Sequence, residues 1–261
     1  MYQKRNRHFI LAIGISLAFI ACNQQEKKEE EGKGTDSSGN GKTEAVQPAT
    51  QSAEIDAVKV APDLYKVLAD SLGIRVLEAT YKPGDSSAMH SHPDNAVYVI
   101  KEGTSEFTGK DGKKMVVDFK EGMVSVRPGE FHSVKNVGKA TLKALVVEVN
   151  RSKEMLAPDA AMDAIKVAPD LYKLKSDTLG IRVVEVTYKP GQSSALHFHP
   201  DYAVYVINGG TVEFTGKDGK KIVNELKTGT ASVGPQEFHS VKNIGKTTLK
   251  VLLVEVNRPM K

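Results

Sequence analysis

Tryptophan is absent from this chain of 261 residues, and aromatic residues make up only 6% of it. A surface that stacks nucleic-acid bases needs exposed aromatics, so that class of function is disfavoured. There is one cysteine, Cys22, which excludes an internal disulfide. An excess of one charge sign is also missing. The 36 Lys and Arg are interleaved with 32 Asp and Glu for a net charge of +4, and no basic stripe offers itself to a phosphate backbone. No apolar run reaches the roughly 20 residues that a membrane helix needs. Histidine is scarce as well, seven in all, which makes its placement informative.

The chain begins with Lys4, Arg5 and Arg7, followed by an apolar run over 9–20 and then Ala21-Cys22. A run of about a dozen residues suits a signal h-region better than a membrane span. The segment resembles a bacterial lipoprotein signal, in which the cysteine becomes the lipidated first residue; Phe19 stands where leucine is usual. The alternatives are a plain signal peptide, or an uncleaved anchor with an incidental Cys22. The expectation is a signal over 1–21, lipidation at Cys22, and a place in the bacterial cell envelope, lipid-anchored and either periplasmic or surface-exposed. Residues 22–57 are rich in Glu, Lys, Gly and Ser and nearly free of hydrophobic side chains. Such a stretch cannot offset its own ordering entropy and reads as a disordered tether, reaching about 30 Å on average.

Beyond the tether the chain repeats itself. Lys59-Val60-Ala61-Pro62-Asp63-Leu64-Tyr65-Lys66 returns as 166–173, and Phe107-Thr108-Gly109-Lys110-Asp111-Gly112 returns from Phe214. Both pairs are offset by 107 residues, the difference between Lys59 and Lys166. A unit that long and varied is a tandem domain duplication rather than a stacked repeat. The expected organisation is one domain over 58–151, a linker over 152–164 and a second domain over 165–261.

Within a copy the signals are for strands. Apolar, β-branched runs occupy 74–81, 96–100 and 142–149, and turn residues such as Pro83-Gly84 and Pro128-Gly129 separate them. Asp111-Gly112 between 105–108 and 114–117 marks a tight hairpin, because that pair tolerates positive φ. Short strands without an amphipathic helix predict an all-β fold of two sandwiches or small barrels.

Apart from His8 in the leader, the histidines form two sets, His90, His92, His132 and His197, His199, His239. Residues i and i+2 of a strand share a face, so each His-x-His pair projects two imidazoles side by side. A third from another strand would complete a face suited to one divalent transition metal per domain (Fe, Mn, Zn, Cu or Ni), with coordination positions left open for water or ligand. The blander alternative is that these histidines are hydrogen-bonded fillers of a barrel interior.

Gly84, five residues, then His90-x-His92 and Gly103 resemble the first motif of the cupins. Gly122, Pro128-Gly129, His132 and Asn136 resemble the second. Gly191, His197, His199, Gly209 or Gly210, Gly229, Pro235, His239 and Asn243 repeat the pattern. The resemblance covers each copy nearly end to end and implies a bicupin: two jelly-roll β-barrels, each holding a metal on its histidines and packed as an intramolecular pseudo-dimer. Two features depart from the cupin pattern. The glutamate ligand of the first motif is replaced by Ala96 or Val97, and by Ala203 or Val204. The second motif is one residue short between its glycine and its histidine. Without the carboxylate, hard-metal binding weakens, while a more cationic centre would favour an anionic ligand.

Other residues are candidates for roles at the site. Glu130 and Glu237 precede the third histidine by two positions; they are potential ligands or acid/base groups, or a charged barrel rim. Tyr98 and Tyr205 are expected on the same face as Ala96 and Ala203, either donating to a bound ligand or packing in the core. Asp94 and Asp201 follow a proline and are expected to cap turns. Arg75 and Arg182 are expected as outer-face charges, with buried anion pairing as the alternative.

Three functions remain open: an envelope-anchored metal- and small-molecule-binding module, a metal-dependent oxygenase or isomerase, and a metal-free structural or carbohydrate-binding barrel. The lack of aromatic clusters argues mildly against sugar. No nucleic-acid partner is expected.

Overall fold

Two copies of one strand order follow each other in the computed structural model, which describes residues 55–157 and 161–261. The leader, Cys22 and most of the predicted tether lie outside the described residues. The first copy runs α1 (Ala57–Val60), β1 (Tyr65–Ser71), β2 (Ile74–Tyr81), β3 (His90–His92), β4 (Asn95–Lys101), β5 (Gly103–Gly109), β6 (Lys114–Phe119), β7 (Val124–Arg127), β8 (Glu130–Asn136) and β9 (Leu142–Val149). The second runs α2 (Ala164–Val167), β10 (Tyr172–Thr178), β11 (Ile181–Tyr188), β12 (His197–His199), β13 (Tyr202–Asn208), β14 (Gly210–Gly216), β15 (Lys221–Leu226), β16 (Ala231–Gly234), β17 (Glu237–Asn243) and β18 (Leu249–Val256).

Each copy folds into a five-stranded and a four-stranded sheet, in the orders β1-β2-β9-β4-β7 and β3-β8-β5-β6 for the first and in equivalent orders for the second. Consecutive pairs are antiparallel. This is a jelly-roll sandwich, and its interior lies between the two sheets. The predicted hairpin is present: the β5–β6 turn carries Gly112 at φ 75, a conformation that an L side chain resists.

The central strands β2, β9 and β4 of the five-stranded sheet are buried on both faces. Leu77, Ala79, Tyr81 and Val146 point into the first barrel. Their neighbours Ile74, Val76, Leu145 and Val147 join Ile181, Val183, Leu252 and Val254 of the second copy in one apolar cluster. This is why β9 reads Leu-Lys-Ala-Leu-Val-Val-Glu-Val rather than alternating: a strand covered on both sides carries a near-continuous hydrophobic run. Reciprocal ion pairs flank the cluster. Arg258 reaches Asp94 at 2.9 Å, and Arg151 reaches Asp201 at 2.7 Å. The same aspartates fulfil their predicted turn-capping role, accepting from the Gly129 N–H at 2.8 Å and the Gln236 N–H at 2.7 Å.

Two segments expected outside the domains belong to them. The backbone N–H of Ser91 in β3 donates to Ile55 O at 2.8 Å, and Asp56 caps α1. In the second copy, Phe198 N–H donates to Met162 O at 2.7 Å, and Asp163 caps α2. Each stretch lies against the strand that carries the His-x-His pair, through the bridges Asp56 to Ser91 and Asp163 to Phe198. No helix among the described residues is long and apolar enough to cross a membrane.

Candidate metal centre

β3 lies antiparallel beside β8 with His90 opposite His132 and His92 opposite Glu130. β12 and β17 repeat this, with His197 opposite His239 and His199 opposite Glu237. The register therefore sets the third imidazole directly across from the first, on the face that the second shares two residues on. In each barrel the three rings offer nitrogens that lie within 4.8 Å of one another, and all six histidines are buried.

Each trio is held by partners of known polarity. His90 Nδ1 lies 2.9 Å from Ala88 O, and His92 Nδ1 lies 2.6 Å from Glu148 Oε1. A carbonyl and a carboxylate can only accept, so both Nδ1 atoms carry the proton and both Nε2 atoms keep a lone pair. His197 and His199 are fixed in the same way, by Ala195 O at 2.8 Å and Glu255 Oε1 at 2.7 Å. Glu148 is itself anchored by Arg75 Nε at 2.6 Å, and Arg75 reaches Asp56 at 2.7 Å. In the second barrel Arg182 forks onto Asp163 at 2.6 and 3.1 Å and lies 3.2 Å from Glu255. A chain Asp–Arg–Glu–His thus runs from the helix cap to the site in both copies, the outer support that orients metal-binding imidazoles.

The third histidine is the least tied. His132 Nδ1 is 3.5 Å from Glu130 Oε1, beyond a good hydrogen bond, and has no partner among the described residues. His239 Nδ1 is 3.2 Å from Glu237 Oε1. Burial, ahead of the neighbouring rings, pushes His90 down to about 4 and His197 down to about 3. Both are therefore neutral at pH 7, the form that ligates metal. Burial would raise the carboxyls of Glu130 and Glu237, but the neighbouring histidines, with Arg127 in the first barrel and the Tyr202 hydroxyl in the second, together hold them below their ordinary value. Three buried imidazoles whose ring nitrogens lie this close together fit a divalent transition-metal ion in each barrel.

The cupin domain family matches the sequence twice, over residues 77–148 and 184–255. The chain belongs to the cupin family. No curated protein matches it. Among solved structures it is similar to AerE of Microcystis aeruginosa, at 14% identity and a TM-score of 0.55, covering 74% of this chain and 91% of that one. It is also similar to the oxalate decarboxylase of Bacillus subtilis, a protein with Mn(II) centres, at 17% identity and a TM-score of 0.53, covering 78% and 72%. At such identities the likeness is one of fold.

In this cupin the place of the missing glutamate is taken by Val97 and Val204, which line the two cavities beside the histidines. Glu130 and Glu237 line the same cavities. Tyr98 and Tyr205 do not. They share a face with Ala96 and Ala203, as expected, but that face belongs to the apolar cluster between the barrels, so core packing holds and a role at the ligand does not. The Pro93-Asp94 turn between β3 and β4 resets the alternation, and Asn95 and Val97 face inward while Ala96 and Tyr98 face the other barrel. Arg75 and Arg182 are likewise not outer-face charges but partners of buried Glu148 and Glu255.

The tyrosines at the site are others. Tyr65 Oη lies 3.0 Å from His90 Nε2 and accepts from Tyr81 Oη at 2.8 Å. Tyr172 lies 2.9 Å from His197 Nε2 and 2.9 Å from Tyr188 Oη. Burial raises the Tyr65 and Tyr172 hydroxyls well above their ordinary value, so they serve as proton donors. Since His90 Nδ1 holds the ring proton, Tyr65 donates to Nε2. One signal in the sequence pointed to them: both tyrosines recur at the repeat offset.

Proposed function

We propose that this bicupin binds one divalent transition metal in each barrel, through His90, His92 and His132 and through His197, His199 and His239, and presents it to a small-molecule ligand. The observation that carries the reading is the fixed tautomer: Ala88 O and Glu148, and Ala195 O and Glu255, hold protons on Nδ1 of two rings in each trio, whose ring nitrogens gather within 4.8 Å. The bound metal would supply a Lewis-acidic centre with open positions. The oxalate decarboxylase with the same fold has Mn(II) centres, but a donor set of three imidazoles without the glutamate suits Fe, Zn, Cu or Ni ahead of the harder Mn. Metal analysis of the natively purified chain is expected to give two equivalents, falling to one in His132→Ala and to none when His239→Ala is added. A protein that carries no metal and takes up none would overturn the reading and favour a structural barrel.

A second reading, a metal-dependent oxygenase or isomerase, is favoured by Tyr65 and Tyr172. Each hydroxyl spends its proton on the nitrogen lone pair that a metal would occupy. With that lone pair engaged, the hydroxyl is left to donate to an oxygen of the bound ligand. Oxygen uptake with a panel of diphenols and thiols, present in the parent and reduced in Tyr65→Phe, would support catalysis; no turnover would leave the binding module.

We further propose that the two barrels act as an intramolecular pseudo-dimer and that Cys22 carries a lipid holding them at the bacterial envelope. The reciprocal Arg258–Asp94 and Arg151–Asp201 pairs support the first, and the leader pattern supports the second. Incorporation of labelled palmitate that Cys22→Ser abolishes would test the anchor.

A further inference from the structure

The two trios are alike, but the walls in front of them are not. Asn95 of β4 sits opposite Arg127 of β7, and the equivalent pair in the second barrel is Tyr202 opposite Gly234. These are coupled exchanges. A Cβ on Gly234 would lie 2.9 Å from the Tyr202 ring and its hydroxyl oxygen, so a side chain there would push the phenol from its present position. Phe119, stacked edge-on against Phe107 in the first barrel, is Leu226 in the second. The first cavity measures about 60 Å³ and the second about 330 Å³.

The charges differ too. Arg127 lines the first cavity, its guanidinium 6.0 Å from the Phe107 ring centroid. The carboxylate oxygen paired with it, on Glu130, is 3.6 Å away, beyond hydrogen-bond reach. Its planar fork of donors is therefore unspent among the described residues, the geometry that suits a carboxylate. The charges of Arg127 and Glu130 cancel. In the second barrel no Lys or Arg lines the cavity, and Glu237 stands alone. The Tyr202 hydroxyl donates to that carboxylate and is spent on it. The remaining polar side chains at that wall, Asn224 and Ser232, are neutral.

We propose that the two barrels take ligands of different class: the first a small carboxylate held by Arg127, the second a larger, uncharged molecule bearing an amide or hydroxyl. This rests on the reading that each trio holds a metal. Arg127 acts on the ligand directly, so it sets specificity rather than metal affinity.

The test uses the full chain loaded with Co(II), whose visible spectrum reports ligands entering the site. His239→Ala confines the metal to the first barrel and His132→Ala to the second. Acetate is expected to shift the first-barrel spectrum at a concentration at least about tenfold lower than the second, a difference of roughly 1.4 kcal/mol. Benzamide should show the reverse order. Arg127→Gln, and independently the exchange Asn95→Tyr with Arg127→Gly, should erase the acetate preference while Co(II) stays bound. Equal acetate responses, or a preference that survives both substitutions, would overturn the proposal and leave the metal reading intact. Failure of either single-barrel protein to take up Co(II) would overturn both.

Discussion

The first and second barrels share a register, a histidine trio, a carbonyl and a carboxylate behind two of the three rings, and a tyrosine pair. They differ at the mouth, where Arg127 and Phe119 give way to Gly234 and Leu226. The parts kept alike orient lone pairs. The parts that changed face whatever enters. The first set must act together to hold an ion, because each imidazole needs its proton on the far nitrogen. A wall residue acts on the ligand alone and is free to change with its cross-strand partner.

Substitutions that separate the copies should follow that division. The largest effect is expected at the cross-barrel ion pairs. Arg258→Ala leaves Asp94, whose side chain is 5% exposed, with the Gly129 N–H and Lys153 at 3.9 Å, whereas Arg151→Ala leaves Asp201, which is 22% exposed, with the Gln236 N–H. Chemical denaturation should show a loss of about 3–5 kcal/mol for the first and a smaller loss for the second. Equal losses would mean that burial of the carboxylate does not set the cost.

Acid should come next. His90 and His197 have folded values below the unfolded value of about 6.5. Below that pH the unfolded chain takes up protons first, so metal-free protein loses stability as pH falls, until the folded groups titrate at about 4 for His90 and about 3 for His197. The contribution is constant above about pH 6.5 and on the order of a few kcal/mol at the acid end. Denaturant midpoints of metal-free protein between pH 7.5 and 4.5 should fall, with His197→Gln and His90→Gln relieving similar shares of the fall, because both folded values lie below that window. A flat profile would contradict the burial of neutral imidazoles.

Glu148→Gln and Glu255→Gln should each weaken metal at one barrel by about 10–100-fold, to a similar degree in both. Competition with a chelator measures this, and a strong effect in one barrel alone would break the equivalence of the two sites. The smallest effect is expected at Tyr98→Phe and Tyr205→Phe, which leave the cavities untouched; metal affinity should not change measurably.

The strands, the Asp111-Gly112 hairpin and the convergence of the histidines were legible in the sequence, because period-2 spacing, turn chemistry and an internal repeat are local signals. The side of β4 that faces the metal was not. It depends on how the Pro93-Asp94 turn feeds Asn95 into the sheet, and a shift of one residue turns every side chain over. The carboxylates of Glu148 and Glu255 were hidden for a related reason. They sit in apolar runs of β9 and β18, far along the chain from the histidines they orient, and only the sheet order brings them together. Buried Arg151 and Arg258 were missed as well, since nothing local distinguishes an arginine after Val-Glu-Val-Asn from a surface charge.

The most direct test of the metal centres is anomalous diffraction from crystals of the full chain grown with Zn(II). Two peaks per chain, each bonded to the Nε2 atoms of one histidine trio, are predicted. Peaks elsewhere, bonds through Nδ1, or no peak at either trio would contradict the assignment.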